Sequence, residues 1–71
     1  MDFLTETLFI KGVSDYRKGY SFPKEYECWA HLQQIAYECG RLHVSEFPDF
    51  KLVDFRKKST GEKIKIMFKR S

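Results

Sequence analysis

Cys28, His31, Cys39 and His43 have the side-chain types of a zinc site, at Cys-x2-His and Cys-x3-His spacings. Zinc needs its ligands to converge on one ion, within about 2.3 Å. The elements below do not allow this. A helix over residues 23–39 would set the two cysteines about 16 Å apart at 1.5 Å per residue, with His31 on the polar face, so no metal is expected. The same helix would bury Cys28 away from the helix N-terminus that lowers a thiol's pKa, which argues against a Cys28–His31 nucleophile pair. Glu25 and Glu27 would lie about 200° apart around it and are no paired-carboxylate site. No phosphate loop, nucleophile elbow or dinucleotide glycine pattern occurs. The expectation is a binding protein, with no enzymatic activity, no cofactor and no small-molecule substrate.

The chemistry that does stand out is cationic. Residues 51–71 hold eight bases (Lys51, Arg56, Lys57, Lys58, Lys63, Lys65, Lys69 and Arg70) against Asp54 and Glu62, a balance of +6. Residues 1–50 hold five bases against eight acids, a balance of −3. The chain's net +3 therefore understates a dipolar molecule. Alternation of apolar and polar residues predicts a β-hairpin here, with strands over 50–57 and 62–69 around Lys58-Ser59-Thr60-Gly61. In the register that gathers the apolar residues, Phe55 faces Ile64, Val53 faces Ile66 and Lys51 faces Phe68. Arg56 then lies opposite Lys63 on the solvent side, with Lys57, Lys58 and Lys65 nearby. Opposed like charges cost a few tenths of a kcal/mol to about one. A polyanion would turn that cost into binding by releasing condensed counterions. The plainer reading is lysine protection of an exposed strand.

A second cationic feature is Tyr16-Arg17-Lys18-Gly19-Tyr20-Ser21-Phe22, where bases and aromatics interleave as on single-stranded nucleic-acid platforms. Lys18-Gly19-Tyr20-Ser21-Phe22 resembles the start of the RNA-recognition motif's signature. The resemblance covers five residues and ends at Pro23, where a strand residue belongs; Glu25 occupies the last aromatic position. Too little chain precedes it for the motif's first strand, helix and second strand, so the fold is not carried over. These residues read as a loop whose aromatics pack on the core edge, with Arg17, Lys18 and Tyr20 as accessory contacts.

Positioning these groups requires a core. Seventy-one residues allow one domain, 1–71, and 42% apolar with 32% charged residues is globular composition. Seven Phe, four Tyr and one Trp supply much of the burial. The clearest predicted element is the amphipathic helix at about 23–39, with Pro23 in its first turn, Ser21 as cap and Gly40 as its stop. Cys28, Trp29, Leu32, Ile35, Ala36 and Cys39 form its apolar stripe. Residues 4–11 fit either strand or helix, the strand being weakly favoured, and 42–46 fit a short strand. The expected fold is α+β: an antiparallel sheet of three or four strands with the helix packed on one face.

Two cysteines are too few for a secreted disulfide framework, and Met1-Asp2 begins no basic signal region. No apolar run exceeds three residues, so no membrane span is expected, and the cytoplasm is the expected compartment. The leading expectation is a small protein contacting nucleic-acid phosphates, without sequence preference, through Arg56, Lys57, Lys58, Lys63 and Lys65, with Arg17, Lys18 and Tyr20 assisting. The alternative is an interaction module or inhibitor whose basic hairpin meets an acidic protein surface.

Overall fold

The structure, a computed structural model, describes residues 3–68. It is helical. In chain order come α1 (Phe3–Lys18), a 3-10 turn (Lys24–Cys28), α2 (His31–Glu46), α3 (Leu52–Arg56) and α4 (Thr60–Met67).

The first segment is a helix because its buried residues follow the helical period. Thr5, Leu8, Phe9, Gly12 and Val13 recur at steps of three and one and are all buried. Gly19 ends α1 at φ +75°, in the left-handed region glycine enters freely. The Gly19 N–H donates to Tyr16 O at 3.1 Å and the Tyr20 N–H to Asp15 O at 2.9 Å, the paired bonds of a Schellman cap. Arg17 and Lys18 fall in the last turn, where cations complement the helix dipole.

The second helix begins after a break at Trp29-Ala30. Ala30 has no side-chain acceptor, so only half of a capping box forms: its N–H donates to Gln33 Oε1 at 3.1 Å. Gln34 Nε2 donates to Tyr26 O at 2.8 Å and ties the 3-10 turn to α2. Ala36, Tyr37, Cys39, Gly40 and Val44 form the buried face. α1 and α2 make the most extensive pairing in the fold. They cross with their backbones in contact. A Cβ on Gly12 would stand 2.2 Å from Tyr37 O, and one on Gly40 would stand 2.2 Å from Phe9 O.

The C-terminal third covers the remaining edge of this pair. Phe55 of α3 is fully buried and stacks on Phe9, ring centroids 5.1 Å apart. Met67 of α4 is also fully buried and joins Phe9, Val13 and Val44 in the core. α4 starts at Ser59, whose Oγ accepts from the Glu62 N–H at 3.4 Å.

These observations correct the expected α+β architecture. Among the described residues there is no strand, and hence neither an antiparallel sheet nor a basic β-hairpin at 50–69. The apolar residues of that segment satisfy the helical period as well as the alternating one. Leu52 and Phe55 are three apart, as are Ile64 and Met67, and Ser59-x-x-Glu62 supplies a helix start where a hairpin loop was expected. Gly61 has no positive φ. Residues 4–11 and 42–46 are helical. The helix expected at 23–39 is displaced: Pro23 caps the 3-10 turn, and Gly40 lies inside α2 as the contact residue of a helix crossing. Cys28, expected in a buried stripe, is exposed.

Candidate nucleic-acid interface

Helical geometry redistributes the cations expected on one hairpin face. Lys63 turns inward and pairs with Glu6 of α1 at 2.6 Å, its ammonium 5.8 Å from the centre of the Phe55 ring. Both side chains are mostly shielded, at 17% and 19% exposure, so this bridge between α4 and α1 is structural. Arg56 and Lys63 do remain neighbours, lining a groove with Thr7 and Ile10, but Glu6 shares it. An acid therefore answers the like-charge opposition expected between them.

Lys58 and Lys65 lie on another groove, of about 520 Å³. Lys51 completes its cationic rim, and Asp54 is the acid on it. All three lysines are exposed. The groove's floor is apolar and aromatic: His43, Phe47, Phe50, Phe55 and Ile66. The His43 ring stands 5.0 Å from Phe47 and 4.6 Å from Phe50, edge-on to the latter at 84°. Lys58 also approaches Glu62 at 3.9 Å, a loose pair on an exposed helix turn. Such pairs contribute about 0–1 kcal/mol and leave the ammonium available. Lys57 caps α3 and is exposed. Lys69 and Arg70 lie outside the described residues.

Lys51 was not among the residues singled out in the sequence, because a hairpin register points it at Phe68 and the core. No local period in the sequence marks it, because Lys51 caps α3, Lys58 follows α3 and Lys65 lies in α4, and only tertiary packing brings them to one groove.

The aromatic segment near the end of α1 plays a different part. The Arg17 guanidinium donates to Phe50 O and ties the end of α1 to the loop before α3. Lys18 lies 5.7 Å from the centre of the Tyr20 ring, and both residues are exposed. Neither lines the cationic groove. Phe22, Tyr26, Trp29 and Tyr37 instead pack ring against ring, Phe22 on Tyr37 at 5.4 Å and Trp29 on Tyr37 at 5.2 Å.

A second groove, of about 510 Å³, is lined in part by Tyr16, Phe22, Glu38 and Arg41. Its cation is already engaged. The Arg41 guanidinium sits 4.8 Å from the centre of Phe22, 5.8 Å from Tyr37 and 6.0 Å from Tyr16, and donates to Tyr37 Oη at 3.1 Å. Tyr37 Oη donates in turn to Asp15 Oδ2 at 2.7 Å, and Lys11 lies 3.6 Å from the same oxygen. Burial pushes the Tyr37 phenol up, Asp15 adds to the rise and Arg41 opposes it. Tyr26 donates to Glu38, and that bond, with some desolvation, pushes its phenol up to about 12. With Glu38 on its wall and Arg41 committed to rings, this groove is poorly suited to an anion.

His31 is exposed at the start of α2, whereas Cys39 is buried in the α2 face against α1. Among the described residues no three His, Cys, Asp or Glu side chains gather to hold a metal ion. No described helix is long and apolar enough to cross a membrane.

Fold and surface together define, among the described residues, a small helical protein with a groove lined by three exposed lysines and by aromatic side chains. The chain matches no protein-family model, no curated protein and no solved structure.

Proposed function

We propose that this chain is a non-enzymatic nucleic-acid-binding protein whose groove lysines, Lys51, Lys58 and Lys65, contact backbone phosphates, with Lys57, outside the groove's lining, as an accessory cation. The observation that carries the reading is the convergence of three exposed lysines on one groove with Asp54 as the acid on its rim. Phosphate contacts release counterions and add affinity without sequence information. Arg56 and Lys63 have a smaller part than a hairpin would assign them, since Glu6 answers their charge. Arg17, Lys18 and Tyr20 are peripheral contacts at most. We place the protein in the cytoplasm, a reading supported by the exposed thiol of Cys28.

The test is a charge reversal of Lys51, Lys58 and Lys65 to Glu, with helicity checked by circular dichroism and binding read by fluorescence anisotropy against salt. Three phosphate contacts give a slope of log affinity on log salt of about −2 for a single strand. The parent should show that slope, and the folded variant should lose most of the affinity. Equal affinity and slope in parent and variant would remove the groove lysines from the interface. Absence of oligonucleotide binding, with a protein complex that persists in the presence of heparin, would instead favour an acidic protein partner.

A further inference from the structure

Phosphate contacts alone have no use for the floor of the lysine groove. Phe47, where α2 ends, lines this groove and is 52% exposed. Leaving such a side chain in water is unfavourable at roughly 25 cal/mol per Å² of apolar surface, and an exposed aromatic side chain is what a base can stack on. The rings beneath hold it in place: Phe47 rests on His43, and His43 stands edge-on to Phe50. At about 520 Å³ the groove falls within the roughly 300–1,000 Å³ typical of small-ligand sites. A duplex keeps its base faces stacked inside and offers such a floor only phosphates and base edges. An unpaired base offers both an apolar face for Phe47 and flanking phosphates for the rim.

We infer that the groove takes one unpaired nucleobase of a single-stranded nucleic acid on Phe47, with neighbouring phosphates reaching Lys51, Lys58 and Lys65. This rests on the phosphate-binding reading and adds single-strand selectivity to it. Charge complementarity decides the occupant. The cations on the rim repel a basic partner, and the aromatic floor favours a flat π-system over an extended acidic peptide.

The experiment compares a fluorescein-labelled oligothymidylate, an abasic strand of equal length and a duplex of equal length by anisotropy at one salt concentration. The oligothymidylate should bind about tenfold more tightly than the abasic strand, the scale of one stacked base. Phe47→Ala and Phe47→Leu, each with parental circular dichroism, should erase that margin and leave abasic and duplex affinities unchanged; Phe47→Trp should keep it. Equal binding of oligothymidylate and abasic strand, or a margin that survives Phe47→Leu, overturns the base site and leaves the phosphate reading standing. Absence of binding to all three probes overturns both.

Discussion

Replacing Gly40 by Ala should destabilise this protein, although intrinsic helix propensity says the opposite. Alanine in a helix interior is about 1 kcal/mol more favourable than glycine. Gly40, however, lies where α2 crosses α1, and its added Cβ would stand 2.2 Å from Phe9 O. Ordinary contact requires about 3.4 Å, so the backbones must separate by about 1 Å. No rotamer change relieves a clash with a carbonyl oxygen. A radial gap of 0.5–1 Å forfeits a quarter to a half of each dispersion contact, and the gap opens among Phe9, Val13 and Ala36 at the core. Overpacking typically costs about 1–3 kcal/mol, and a backbone clash belongs at the upper end. After the propensity gain, the net loss is about 2 kcal/mol, which for a chain of this size lowers Tm by about 8–16 °C. Gly12→Ala meets Tyr37 O in the same way and should behave alike. Because either substitution already parts the helices, the double variant should cost less than the sum. Gly61→Ala is the control: nothing beyond its chain neighbours and its own helix backbone lies within 4 Å of the added Cβ, so propensity alone should act and Tm should hold or rise. Thermal melts followed by circular dichroism read all four. A Gly40→Ala protein melting at or above the parent would refute the close crossing of α1 and α2.

The remaining expectations concern polar groups. Tyr37→Phe removes the donor to Asp15 and the acceptor for Arg41, and should cost about 1.5–3 kcal/mol in urea titrations, as for hydrogen bonds to charged groups. Lys63→Gln breaks the bridge to Glu6 and should cost about 1–3 kcal/mol while lowering nucleic-acid affinity less than loss of any one groove lysine, since this lysine chiefly serves the fold. Tyr26 titrates at about 12 in the folded state against an ordinary 10.0, so its contribution to stability is complete below pH 10 and is lost as pH rises from 10 to 12. Glu38→Gln removes the carboxylate chiefly responsible, so the phenol's absorbance titration should move back toward 10.0 and the stability loss in that window should flatten.

Much of the cationic chemistry could be read from residue order, but little of its placement. The excess of bases after residue 50 depends only on composition. Which of them share a surface depends on whether the segment repeats every two residues or every 3.6, and its short apolar runs fit both periods. Val53 illustrates the ambiguity. A hairpin needs it inside, whereas α3 leaves it 65% exposed and buries Phe55 alone. The decisive local signal was Ser59-x-x-Glu62, a helix start that a glycine two residues further on makes look like a turn. Gly40 misled for a related reason. A glycine ending an apolar stripe normally marks a helix end, but here the absent side chain admits Phe9 O, a tertiary contact no local pattern displays. The stripe from Cys28 to Cys39 was partly sound, since Ala36 and Cys39 do enter the core. It began too early, because Trp29-Ala30 breaks the helix, and Leu32 was left 53% exposed.

The change from hairpin to helices strengthens one part of the binding argument and weakens another. The hairpin reading drew its force from Arg56 facing Lys63, an opposition that folding would not choose without an anion to relieve it. Glu6 relieves it within the fold, so that opposition no longer calls for an external partner. The lysines of the other groove have weaker answers. Asp54 is on its rim, and Glu62, 61% exposed, holds Lys58 only at 3.9 Å. An exposed pair of that kind is worth so little that a phosphate can displace it. The exposed Phe47 side chain lines the same groove, whereas Leu32 and Val53, at least as exposed, do not. Cation excess and apolar exposure have separate physical origins, one electrostatic and one from hydration. A single occupant with a charged backbone and flat aromatic faces would relieve both, and that coincidence favours a single strand over a phosphate surface alone.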